Sequence, residues 1–245
     1  IEGAHGRRQG QRLALVTGAT GALGPALVRA LLADGWTVRA FGRRRPAPDQ
    51  LQGSVEFQVG DIVNADAVAR ASEGVDAVFH LAGLLHNPRP GPSEMGLYEA
   101  INVGGARNVA RAAAASGVPV IHFSTIAVYG ATNGEPADES TTTKPTGPYA
   151  TTKLRGEEAM LDAGVKVIVL RLAAAYGRGT KGNYRRLVDA LRRRLYVPVG
   201  DGSNRRTLIH EEDAAQAALH AADRVGEVSG VFNVTDGTTH SVKEI

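Results

Sequence analysis

The stretch TGATGALG (17–24) closes a short apolar run, RLALVT, and opens a helically spaced one, ALGPALVRALLADG. That junction constrains the fold more than any other part of the chain. Gly18, Gly21 and Gly24 fall where a strand must turn sharply into a helix packed against it. One glycine permits the turn, one lets the backbone approach a ligand, and one lets helix and strand pack closely. The pattern then repeats. WTVRAFG (36–42) and SVEFQVG (54–60) alternate like strands, while VDAVFHLAG (75–83), VPVIHFS (118–124) and VKVIVLRL (165–172) read as buried ones. Between them NADAVARASEG, a long stretch ending at Gly117, and a segment from Tyr149 to about Gly164 have helical spacing. Strands alternating with helices predict a parallel sheet covered on both faces.

The expected fold class is therefore α/β, a Rossmann doubly wound parallel sheet over 12–172. Residues 173–245 are expected to form a small C-terminal substrate-binding lobe. It would be built from NYRRLVDALRRRL, TLIH, EEDAAQAALHAAD and VFNV. Residues 1–11 lack periodicity, and Ile1 is not an initiator, so they are read as a disordered tail or cloning remnant. Ser241 and Glu244 have capping-box spacing just before the sequence stops, which suggests C-terminal truncation.

The glycine turn sets out a site for a dinucleotide. A helix N-terminus offers unpaired N–H groups and a favourable dipole to a pyrophosphate. The turn residues Gly18, Thr20, Gly21, Ala22, Leu23 and Gly24 are the candidates that hold it. NAD-preferring folds of this kind place an acid at the end of the second strand for the ribose 2′-hydroxyl. Here Gly42 is followed by Arg43 and Arg44, which suit a 2′-phosphate, so NADP is favoured slightly over NAD. Asp61, with Ile62, follows the third strand and is placed to touch the adenine.

The rest of the composition excludes more than it suggests. No apolar run approaches the ~18 residues of a membrane span, and no export signal is recognisable. The absence of cysteine rules out disulfides and thiolate chemistry and fits a cytoplasmic protein. No histidine pair has ligand spacing, so no metal is expected. Net charge is +3, concentrated in arginine runs such as Arg43–Arg45. These runs lack interleaved aromatics and a nucleic-acid-binding motif, which argues against nucleic acid as a partner.

YATTK (149–153) puts a phenol and an ammonium one helical turn apart, on one face. Taken with TGATGALG, HLAG (80–83), INVGGARNV (101–109) and STIAVYG (124–130), it resembles the extended short-chain dehydrogenase/reductases. Within them it resembles the NAD-dependent epimerase/dehydratase group that acts on nucleotide sugars. The resemblance implies that Tyr149 exchanges a proton with the reacting oxygen, that Lys153 favours the phenolate and binds the nicotinamide ribose, and that Thr125 hydrogen-bonds the reacting oxygen. Ser124 is a near neighbour with the same chemistry. Leu81, Ala82 and Gly83 would line the cofactor, His80 would either do so or simply pack, and Asn102 would order the site.

The family's 4,6-dehydratases carry Asp-Glu after the active-site Thr; Ile126 and Ala127 stand there and cannot transfer protons. A 4-epimerase and an NADPH-dependent 4-keto-sugar reductase remain as alternatives, together with a non-catalytic dinucleotide sensor. By the same resemblance Asn183 and Arg206 would meet a nucleotide-sugar substrate, although Ala174 replaces an amide usual in the family. The helices carrying Asn102 and Tyr149 would pair in a homodimer.

Overall fold

The computed structural model describes residues 10–47, 50–51, 53–85, 94–132, 134–179, 190, 192–193, 202–241 and 243–244. Its centre is a sheet of β1 (Leu13–Thr17), β2 (Thr37–Gly42), β3 (Val55–Val59), β4 (Ala77–His80), β5 (Val120–Thr125), β6 (Val167–Leu172) and a late strand, Gly230–Val234. All seven pair in parallel, with β1 between β2 and β4. Successive strands build outward from β1 first in one direction and then in the other. The cleft at this reversal, outside the carboxyl ends of β1 and β4, is where such sheets bind ligands.

Burial on both faces explains the near-continuous apolar strands: all six residues of β6 are buried. Because side chains alternate, neighbouring residues enter different cores. Val16, Phe79, Ile121 and Ile168 pack beneath α1 (Gly24–Ala33). Leu15, Val78, Val120 and Val169 pack beneath α2 (Ala65–Ala71) and two later helices. The start of α2 is fixed by Asn64, whose side chain accepts the Ala67 N–H at 2.9 Å.

The stretch expected as one long helix ending at Gly117 is divided. It comprises α3 (Glu94–Tyr98), a π-helical segment (Glu99–Gly104) and α4 (Gly105–Ser116), with left-handed Gly117 (φ 66°) as its C-terminal stop. A 3₁₀ turn (Ile126–Tyr129) follows β5, and α5 (Gly147–Leu161) carries the YATTK motif.

The chain after 173 does not all leave the main sheet as the expected lobe. Short pieces β7 (Ala174–Tyr176) and β9 (Leu208–His210) pair with each other, and β8 (Arg205–Arg206) pairs with a final strand, His240–Ser241. Between them α6 (Glu211–Arg224) packs against α1, and Gly230–Val234, numbered β10, extends the main sheet beside β6; His240–Ser241 is β11. The reason is that Ala214, Ala215, Ala218 and Leu219 of α6 supply the apolar cover that the α1 face needs. The Glu244 carboxylate reaches back to the Ser241 N–H at 2.7 Å, the contact that capping-box spacing provides. Among the described residues no helix is long and apolar enough to cross a membrane.

Candidate active site

The glycine turn is a cradle shaped for a close-lying ligand. Gly18 has φ +74°, and a Cβ there would lie 2.7 Å from the Ala82 nitrogen. A Cβ on Gly24 would lie 2.1 Å from the Ala19 carbonyl oxygen. Gly21 N–H closes the turn onto Gly18 O at 2.9 Å. No side chain caps the N-terminus of α1, which leaves its first N–H groups available to an anion. These features fit the pyrophosphate of a dinucleotide. Thr20 is exposed beside them, and Ala22 and Leu23 are half-buried.

The opposite wall is the end of β4. Leu81 N–H donates to Thr17 O at 3.1 Å, and Ala82 N–H to Thr17 Oγ1 at 3.3 Å, so the two strand ends are tied together. Thr17 Oγ1 also meets His80 Nδ1 at 2.7 Å. Gly83 lies against Asn102. Asp61 spends one carboxylate oxygen on the Val63 N–H. Ile62, expected at the cofactor, instead buries its side chain against Gly105 and gives its carbonyl to Asn108 Nδ2 at 3.0 Å. Only its backbone N–H remains unassigned, because the α2–α4 core claims the aliphatic side chain. Arg43 and Arg44 are exposed and bonded to nothing among the described residues.

Tyr149 and Lys153 both project from the first half of α5. Burial pushes the Tyr149 phenol up, a hydrogen bond shared with the Thr125 hydroxyl pulls it down, and nearby Tyr98 pushes it up further; the net shift is upward. Thr125 is thereby brought directly to the phenol, while its Oγ1 also accepts the Ala127 N–H at 3.2 Å. Lys153 is 6% exposed and donates to the Phe123 carbonyl at 2.5 Å. Burial lowers its pKa to about 8, while the Glu157 carboxylate acts to raise it. Burial outweighs the other influences on the phenol, and it is held in its protonated form.

Asn102, in the π-helical segment, links this helix to the cofactor wall. Its Oδ1 accepts the Leu84 N–H at 2.7 Å, and its Nδ2 donates to Thr152 Oγ1 at 3.0 Å. A π-helical segment inside a helix is frequent at functional sites. Close packing is aided by Gly156, where a Cβ would lie 2.8 Å from the Asn102 carbonyl oxygen.

Ser124, expected as a substrate contact, is buried and gives its hydroxyl to Glu157. Glu157 and its partner Arg171 were not singled out in the sequence, although each carried a signal. Glu157 repeats the four-residue step from Tyr149 to Lys153, and Arg171 is a lone charge in an apolar strand. Beneath Lys153, His80 and His122 stack with ring centroids 5.2 Å apart. Burial and the Lys153 charge push His80 down to about 3 and His122 well below its usual range. Both imidazoles are therefore neutral.

The family model described as NAD dependent epimerase/dehydratase matches residues 14–235, nearly the whole of this architecture. The chain belongs to that family. Among its relatives, the ceramide reductase of Caulobacter vibrioides is 34% identical over 222 residues, covering 90% of this chain and 63% of its own. The 2-alkyl-3-oxoalkanoate reductase of Stenotrophomonas maltophilia is 35% identical over 217 residues, covering 83% and 63%. The structure of MoeE5 in complex with UDP-glucose and NAD is 32% identical with a TM-score of 0.82, covering 94% of this chain and 78% of that one. The chain spans 54–63% of the length of the first curated relatives it matches.

Of the substrate contacts expected in this member of the epimerase/dehydratase family, Thr125 and Tyr149 are brought together. Arg206 is exposed on β8, and Asn183 lies outside the described residues. Glu211, which no motif marks in the sequence, is buried at the start of α6. It accepts the backbone N–H groups of Arg178 and Gly179 at 3.1 and 2.8 Å. Gly179 in turn lies against Ala22 of the glycine turn, where a Cβ would come within 2.5 Å of the Ala22 carbonyl oxygen. The loop after β7 is thus anchored beside the cradle.

Proposed function

We propose that the protein is an NAD(P)-dependent oxidoreductase of the nucleotide-sugar 4-epimerase type. The observation that carries this reading is the Tyr149 phenol hydrogen-bonded to Thr125, one helical turn from buried Lys153 and at the strand ends that face the glycine cradle. Gly18, Gly21 and Gly24 would admit the pyrophosphate, Leu81 to Gly83 would line the nicotinamide side, and Lys153 would meet the ribose. The nicotinamide, when bound, would accept hydride from a carbinol carbon or supply it to the corresponding carbonyl carbon. Tyr149 donates the matching proton when the substrate is a ketone and receives it when the substrate is an alcohol. Thr125 orients the reacting oxygen toward the phenol, and the Lys153 charge offsets the negative charge that develops there. The UDP-glucose and NAD held by the related MoeE5 support a nucleotide sugar as substrate, with Arg206 available to a diphosphate.

A second reading, net reduction of a ketone with NADPH, is favoured by two observations. Arg43 and Arg44 are exposed at the end of β2, with no partner among the described residues, where an acid would favour NAD. The two reductase relatives are as similar as MoeE5. A homodimer through α4 and α5 is part of the proposal. The groove between those helices, about 530 Å³, sets Arg107 and Arg111 opposite Glu158 and Asp162, an arrangement complementary to a two-fold copy of itself.

The test is to denature the purified protein, identify any released dinucleotide by mass, and follow UDP-glucose epimerisation with NAD. Co-purifying NAD with turnover supports the epimerase. An empty protein that binds NADPH and oxidises it with a ketone supports the reductase. Failure to bind either dinucleotide ends both readings.

A further inference from the structure

Behind Lys153 lies a buried polar chain that the proton-transfer scheme does not use. Glu157 is 1% exposed and Arg171 is 6% exposed. Arg171 Nε lies 3.2 and 3.1 Å from the two carboxylate oxygens, and its Nη2 lies 2.7 Å from Oε2. The same carboxylate accepts the Ser124 hydroxyl. Arg171 Nη1 continues to the Tyr129 hydroxyl at 2.9 Å, and that hydroxyl donates to Asn233 on β10 at 2.8 Å. Burying such an ion pair is weak evidence of stability, since apolar residues of similar volume often serve as well. Its location next to the catalytic candidates is the informative part.

Two contacts form successive rungs between α5 and β5. Lys153 donates to the carbonyl of Phe123, and Ser124, the next strand residue, donates to Glu157, one helical turn on. The strand's following residue is Thr125, which bonds Tyr149. A shift of α5 along β5 by one residue, about 1.5 Å, would break both rungs and separate Tyr149 from Thr125. On its other side the helix is clamped by Gly156 against Asn102.

We propose that Ser124, Glu157 and Arg171 are positioning residues: a buried latch that fixes the register of α5 on β5 and presents a counter-charge to Lys153. The proposal rests on the reading that Tyr149 and Lys153 carry the reaction. The charged and titratable groups facing Lys153 are Glu157 and the Tyr149 phenol from its own helix, His80 from β4 and His122 from β5. The two imidazoles are neutral, so the carboxylate is the group that offsets the cost of burying the ammonium. Arg171 of β6 holds that carboxylate in place, and Tyr129 of the 3₁₀ turn holds Arg171.

The chain has five lysines, Lys144, Lys153, Lys166, Lys181 and Lys243, few enough for lysine-selective NMR labelling. The Lys153 signal is assigned by its absence in Lys153→Met, and its titration needs neither cofactor nor substrate. In Glu157→Gln the Lys153 midpoint should fall by about one unit or more. Glu157→Asp should restore most of that shift. In Ser124→Ala the charges remain but one rung is lost. There kcat, measured with UDP-glucose and NAD as probes, should drop about tenfold with KM changed less than about twofold. An unchanged Lys153 midpoint in folded Glu157→Gln overturns the proposal. So does a Glu157→Met/Arg171→Met double variant that folds with wild-type kcat and pH profile. If Glu157→Gln does not fold, Ser124→Ala decides: wild-type kcat in that variant overturns the proposal. Tyr149→Phe is the separate control: if it keeps full activity, the functional reading fails while the lysine titration still stands.

Discussion

The Lys153 ammonium donates to the Phe123 carbonyl at 2.5 Å, two residues before the Thr125 that bonds Tyr149. One strand end thus holds both members of the YATTK pair. If Tyr149 is the proton carrier, Tyr149→Phe should lower kcat by about 10²–10⁴ while leaving the melting temperature nearly unchanged. Lys153→Met should cost activity on a similar scale and weaken dinucleotide binding, read by quenching of protein fluorescence. Wild-type turnover in Tyr149→Phe would remove the phenol from the mechanism.

The pH dependence should carry the Lys153 signature. Its pKa is lowered to about 8, so the charge beside the phenol is lost as pH rises through that value, and activity should decline on an alkaline limb centred near there. Stability should move the other way. Between about 8 and the ordinary 10.5, the unfolded chain holds a proton on this lysine that the folded chain has released. The contribution to folding stability therefore rises with pH across that window. Denaturant titrations at pH 7.5 and 9.5, compared with Lys153→Met, isolate the effect; equal differences at both pH values would contradict it.

His80 and His122 act with the same sign in the acid range. Both are neutral in the fold, and three of their ring nitrogens have no partner among the described residues. As pH falls below the ordinary 6.5, the unfolded chain takes up protons that the folded chain refuses until about 3 for His80. Stability should therefore fall with acid by up to ~1.4 kcal/mol per pH unit for each histidine. His122→Phe should flatten the decline between pH 6.5 and 5 by about half, measured by urea unfolding at each pH. A parallel curve would mean that His122 does not titrate across folding.

Much of this fold could be read directly from residue spacing. The glycine turn and the buried apolar runs located β1, β4, β5 and β6, because burial on both faces leaves a continuous pattern in sequence, and alternation located β2 and β3. Gly230–Val234 reads in sequence as part of a lobe because a five-residue strand at a sheet edge has no local mark of its partner. The π-helical segment is similarly silent: Glu99–Gly104 reads as plain helix in sequence, and Gly156, which packs against its Asn102, lies on a distant helix. At the site, motif spacing brought out Tyr149, Lys153 and Thr125. It could not tell which of two adjacent hydroxyls faces the phenol. What decides it is a contact between elements far apart in sequence: Glu157, two turns further along α5, takes the Ser124 hydroxyl and leaves Thr125 at the strand end to the phenol.

The cradle should be intolerant of a single methyl group. Gly18→Ala would force a side chain into a φ of +74° and bring Cβ to 2.7 Å from the Ala82 nitrogen. The backbone on that side belongs to a strand end tied to Thr17, so it cannot yield cheaply. The variant should lose about 1–3 kcal/mol of stability and at least about tenfold in dinucleotide affinity. Urea unfolding and NADH titration test the two parts separately, and wild-type affinity in the variant would place the pyrophosphate elsewhere.

The last prediction separates the two cofactors. Arg43 and Arg44 are exposed just past Gly42, at the end of β2, where this class of fold meets the ribose 2′-position. If Arg43 pairs with a 2′-phosphate, Arg43→Asp should weaken NADPH binding by about ten- to a hundredfold, the scale of one charge-assisted hydrogen bond. NADH binding should change by less than about threefold, or strengthen if the new acid bonds the ribose hydroxyls. Both affinities can be read from nicotinamide fluorescence at two salt concentrations, since an exposed pair is screened. Equal effects on NADH and NADPH would make Arg43 an ordinary surface charge and leave NAD as the physiological ligand.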